Sequence, residues 1–84
     1  MTRVVVYKSP RITQMYLFVA EQEGLGRVPA TLLARFGKPV EALRIDLTPQ
    51  RRLSRSEAPA VLAAIAGQGF YLQLPPVIEK REPA

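Results

Sequence analysis

The chain has no cysteine and no histidine. Without cysteine there is no disulfide framework and no thiolate chemistry. The loss of both residue types removes the usual ligands of zinc, copper and haem iron. It also removes the commonest general base near neutral pH. A metal would have to rely on the carboxylates Glu21, Glu23, Glu41, Asp46, Glu57, Glu79 and Glu82, and no pair of them has the spacing of a calcium loop. The expectation is that no metal or cofactor is held. Long apolar runs are missing as well: nothing approaches the ~20 residues of a membrane span. The N-terminus lacks a signal-peptide pattern, since Met1-Thr2-Arg3 leads straight into Val4-Val5-Val6. A soluble cytoplasmic protein without a membrane partner is expected.

Eighty-four residues, 48% of them apolar, suffice for one domain and exclude disorder. At this length roughly 60% of the unfolded chain's surface is buried, so net stability amounts to a few kcal/mol. Twelve basic and seven acidic residues give a net charge of +5. Residues 77–84 hold two of each sign, so the whole excess belongs to residues 1–76. Such a balance is compatible with nucleic-acid binding. It is equally ordinary for a small arginine-rich protein.

Residues 3–8 and 15–20 read as strands, each apolar on both side-chain parities, which calls for covering on both faces of a sheet. The connection Ser9-Pro10-Arg11-Ile12-Thr13-Gln14 is short and turn-rich, so the two strands form an antiparallel hairpin. A short helix follows Pro29, with Leu32, Leu33 and Phe36 as its stripe, and Gly37 and Pro39 end it. Residues 41–47 alternate, with Leu43, Ile45 and Leu47 on one face and Ala42, Arg44 and Asp46 on a wet one. After a basic loop, a second helix runs from about Glu57 to Gln68, with Ala58, Val61, Leu62 and Ile65 as its core stripe. Ser54 and Ser56 compete as its N-cap; Ser56 is preferred because it puts Pro59 where its missing N–H does no harm. A fourth strand then points Phe70, Leu72 and Leu74 inward, and Pro75-Pro76 forbids its continuation. The fold class is therefore α/β (α+β): a single four-stranded sheet with ββαβαβ order and two helices, a compact α/β sandwich. The domain occupies residues 1–76, and 77–84 are a loose tail.

Tyr7-Lys8-Ser9, Tyr16-Leu17-Phe18-Val19, Val28-Pro29, Phe36-Gly37-Lys38-Pro39 and Gly69-Phe70-Tyr71-Leu72-Gln73-Leu74-Pro75-Pro76 resemble the YcgL-domain family of small gammaproteobacterial proteins. The resemblance spans about residues 3–76, and the closing motif is its most specific part. It implies a compact α/β sandwich and a cytoplasmic bacterial protein of uncharacterised biochemistry. It supplies no catalytic residues.

Four surfaces remain as candidates. Arg51, Arg52 and Arg55 lie within five residues, with Arg44 on the strand before them. Guanidinium forks match pairs of phosphate oxygens, although a solvated, solubilising loop has the same composition. Tyr7, Lys8, Ser9 and Arg11 form a rim that could hold a nucleotide if it lies near the basic loop. Tyr7 fits equally well as a half-buried strand residue. Tyr71 and Gln73 make the second face of the last strand, either a peptide or base-stacking surface or a face covered by a helix. Ala60, Ala63, Ala64 and Gly67 leave the back of the second helix uncharged, a candidate partner or dimer face. Alanine is also simply the best helix former.

Enzyme chemistry finds little support. A Ser, Thr or Lys nucleophile would need a base not evident here, and Gly24-Leu25-Gly26-Arg27 lacks the spacing of a phosphate loop. The sequence thus points to a non-enzymatic binding module. RNA or an acidic protein would engage the Arg51–Arg55 loop and the Lys8–Arg11 hairpin tip. A small ribonuclease-like enzyme on the same surface, or an interaction domain using the alanine face, are the alternatives.

Overall fold

The structure is a computed structural model in which residues 2–53 and 56–75 are described. The expected tail at 77–84, Pro76, Ser54 and Arg55 lie outside the described residues. The element order is β1 (Thr2–Lys8), β2 (Tyr16–Ala20), α1 (Ala30–Phe36), β3 (Val40–Leu47), α2 (Ala58–Gln68) and β4 (Tyr71–Gln73). This is the expected ββαβαβ succession. All four strands join one antiparallel sheet in the order β3-β1-β2-β4.

β1 and β2 lie in the middle because they alone are apolar on both parities, and each face receives one helix. On one face Val5, Leu17 and Val19 pack with Phe36 of α1, Val28 and the half-buried Leu32, Leu33, Phe70 and Leu72. On the other, Val4, Val6, Phe18 and Leu47 pack with Ala58, Val61 and Ile65 of α2. Val5 is 3% exposed and Phe18 6%, so neither parity of the hairpin is bare. The edge strands have less to bury: β3 alternates toward water, and β4 has only three residues.

Registry fixes which side chains share a row. On the α2 face, Leu43, Val6, Phe18 and Tyr71 line up across the four strands, and Val40, Lys8, Tyr16 and Gln73 form the next row. The ladder between β1 and β3 is irregular between Val6 and Tyr7, leaving Ala42 as an extra residue.

Helix ends follow the expected chemistry with one correction. Glu57, not Ser56, is the N-cap residue of α2, and its side chain makes no capping hydrogen bond. Ser56 instead donates its hydroxyl hydrogen to Gln73 Oε1 at 2.6 Å, tying the preceding loop to β4. Pro59 still falls in the first turn, where no N–H is required. A second correction concerns Leu74, which is 60% exposed: β4 stops at Gln73, so the alternation ends before reaching it.

Gly69 closes α2 in the left-handed region at φ +95, its N–H directed to the carbonyls of Ala64 and Ile65. A Cβ there would lie 2.5 Å from Cβ of Arg27, whose guanidinium donates to the Gly67 carbonyl. Strain and collision therefore act together. Gly69→Ala is expected to destabilise the domain by roughly 1–3 kcal/mol, and Phe36→Ala, which empties the centre of the α1 face, by about 3–5 kcal/mol. Urea denaturation measures both; wild-type stability of either variant contradicts the packing described.

Candidate functional site

Helix α2 covers only part of its sheet face. It packs with Val4, Val6, Phe18 and Leu47, of which Val4 and Leu47 are fully buried and Val6 and Phe18 reach the edge of the cover. Toward the C-terminal end of β1 the cover is lost, and a groove of about 630 Å³ opens. Its floor is apolar: Val6, Phe18, Leu43 and Ile45 from the sheet, with Leu53 from the loop before α2. Leu43 is 48% exposed although its alternation marks it as inward-facing. Ala42 lines the groove beside Leu43, a consequence of the irregularity in the ladder. Tyr16 and Gln73, register partners on β2 and β4, form its far wall.

The rim is cationic. Lys8 enters from the end of β1, next to Tyr16 in register, and Arg51 and Arg52 enter from the loop between β3 and α2. That loop is held by an isolated antiparallel bridge between Arg52 and Glu57 and by the Arg51 N–H to the Thr48 carbonyl. No carboxylate lines the groove among the described residues. Glu57 lies on the far side of the two arginines, in an adjoining depression of about 430 Å³.

Three cations of the domain are held in ion pairs, while Arg11, Arg35 and Lys38, away from the groove, make none among the described residues. Arg3 holds Asp46 at 2.5 Å, Arg27 lies 3.5 Å from Glu23, and Arg44 holds Glu21 at 2.6 Å and Glu41 at 2.8 Å. The side chains of Lys8, Arg51 and Arg52 make no ion pair among the described residues. Three positive charges therefore face one partly apolar surface with no counter-charge from the described residues.

The residues singled out by sequence separate on this geometry. Lys8, Arg51 and Arg52 come together. Arg44 stands opposite Val5 on the other face of the sheet, occupied by two carboxylates. Tyr7 packs half-buried against the α1 core. Arg11 lies against Gly37, where the hairpin loop docks on the end of α1, and Ser9 donates to the Phe36 carbonyl there. Arg55 lies outside the described residues. On α2, Ala60, Ala63 and Gly67 are exposed and Ala64 is half-buried. Tyr71 packs against the α2 core, its ring edge-on to Phe18 at 5.8 Å, and Gln73 on the same face lines the open groove. Sequence pattern does not single out Tyr16, Leu43, Ile45 and Leu53 as site residues. For Tyr16 the hairpin itself carries the signal, since antiparallel pairing across a short turn sets it opposite Lys8.

The Glu41–Arg44 pair has a titration signature. The hydrogen bond from Arg44 holds the Glu41 carboxyl below the ordinary glutamate value, and Arg44 is raised in turn by its bonds to Glu41 and Glu21. Among the described residues no cluster of three or more metal-ligating side chains occurs, and no helix is long and apolar enough to cross a membrane.

The comparisons with known proteins agree with the resemblance carried by the closing motif. The YcgL domain model matches residues 4–76. The chain belongs to the YcgL domain family. It is 51% identical over 71 residues to a YcgL domain-containing protein of Pseudomonas aeruginosa, covering 84% of this chain and 73% of that one. With a YcgL domain-containing protein of Chromohalobacter salexigens it shares 50% over 74 residues, covering 88% and 77%. One from Pseudomonas putida is 49% identical over 72 residues, covering 86% and 74%. These names state a domain and no activity, so in this YcgL domain the groove is the feature that requires a functional account.

A depressed carboxylate contributes stability that is present above its unfolded value and is lost as pH falls through the folded one. In an NMR titration Glu41 should therefore inflect below the usual glutamate range of about 4.3. In Arg44→Ala it should return toward that range. An unchanged Glu41 titration in the variant would contradict the pairing.

Proposed function

We propose that this YcgL domain is a non-enzymatic binding module that holds RNA on the α2 side of its sheet, with Arg51, Arg52 and Lys8 contacting phosphates. The observation carrying this reading is the convergence on one groove of three cations, Lys8 from the end of β1 and Arg51 and Arg52 from the loop before α2, none of which forms an ion pair among the described residues. Phosphate oxygens suit such a rim, because a guanidinium presents paired donors and lysine a compact charge. The half-buried Tyr16 beside Lys8 adds a surface on which a base can stack. A cation open to water is cheap to maintain, so the arrangement costs the fold little. Its value lies in attracting a polyanion.

Fluorescence anisotropy with a labelled single-stranded RNA tests the proposal. Binding should weaken steeply between low and moderate salt. In the double variant Arg51→Ala/Arg52→Ala the slope of log affinity against log salt should flatten by roughly 1.4, about 0.7 for each phosphate no longer neutralised. Equal RNA retention by the double variant refutes the proposal. So does binding confined to acidic polypeptides, which would assign the groove to a protein partner.

A further inference from the structure

We infer that the groove receives an unstacked base of single-stranded RNA, and that this domain therefore discriminates single strands from duplexes. The inference rests on the reading of the groove as an RNA site and adds which form of RNA it takes.

Phosphate binding alone would need only a charged surface. Here the cations stand around a concavity of about 630 Å³, within the range of roughly 300–1,000 Å³ that houses a small organic ligand. Its floor is hydrocarbon, from Val6, Leu43 and Ile45. Leu43 is left open to water at the end of a row in which Val6 and Phe18 are buried and Tyr71 half-buried. Removing the exposed part of that floor, chiefly Leu43, from water is favourable when an apolar surface fills it. The face of a base beneath a cationic rim is one that also carries phosphates. A duplex cannot fill the floor in this way. It keeps its bases stacked inside and offers phosphates and hydroxyls on a convex surface. A single strand can turn one base out, lay its face against Tyr16 and the floor, and leave its flanking phosphates at the rim. Lys8 precedes the hairpin loop on one side, and Arg51 and Arg52 stand on the loop before α2. The cations thus come from two separate parts of the chain, as a strand passing through the groove requires.

The test uses the whole chain and four probes at low salt. These are a single-stranded RNA of about ten nucleotides, its duplex, and the single strand with one or with all bases removed. The wild-type protein should prefer the single strand to its duplex by about tenfold or more, and removing all bases should erase that preference. Tyr16→Ala should weaken single-strand binding about tenfold while leaving the salt slope unchanged, and Tyr16→Phe should restore it. Should Tyr16→Ala fail to fold, Leu43→Glu decides in its place: Leu43 is exposed, and the carboxylate should abolish the preference without unfolding the domain. Equal affinity for single strand and duplex, or for the intact and fully abasic strands, overturns the inference while the RNA reading stands. No binding of any probe overturns both.

Discussion

The structure depends on a hairpin that is hydrophobic on both sides. Val4 and Val6 point one way from β1 and Val5 the other, and Leu17, Phe18 and Val19 repeat the pattern on β2. A sheet with such a centre is stable in water only when both of its faces are covered. Two short helices supply the cover, one per face. The strand order β3-β1-β2-β4 follows, since the doubly apolar strands take the centre and the less apolar ones the edges.

The two covers are unequal in extent. The α1 face is reinforced by Val28, Leu25, Phe70 and the hairpin loop that docks on Gly37. The α2 face is covered by a helix and the loop before it, and that cover ends at the row containing Lys8 and Tyr16. The apolar pattern of the sheet reaches Leu43, at the β3 end of the row it shares with Val6 and Phe18, while the cover does not. The groove is thus the remainder of a face that one eleven-residue helix cannot sheathe. Its cations are set around it by chain connectivity, because the end of β1 and the loop between β3 and α2 meet there.

Much of the architecture was legible in the residues. Two-parity runs marked the central strands, Gly37 marked the end of the first helix, and the alternation of β3 marked its wet face. The family, too, was legible in Gly69-Phe70-Tyr71-Leu72-Gln73-Leu74-Pro75-Pro76. The groove was legible only in part. Arg51 and Arg52 stand out as a pair, but their distance from Arg44 depends on which face of β3 each neighbours, and Arg44 lies across the sheet. Tyr16 and Leu43 read as core because their spacing is that of core. Whether a helix reaches far enough to bury them is set by tertiary placement and leaves no mark on local pattern. Ser56 likewise met the requirements of a cap and was drawn instead to Gln73 by a strand distant in sequence.

Attenuation of methyl signals by a soluble paramagnetic chelate tests the unequal cover most directly. Leu43 and Ile45 should be broadened strongly, while Val4, Leu17, Val19 and Val61 stay sharp. A Leu43 as protected as Leu17, or a Val5 as bleached as Leu43, would contradict the account.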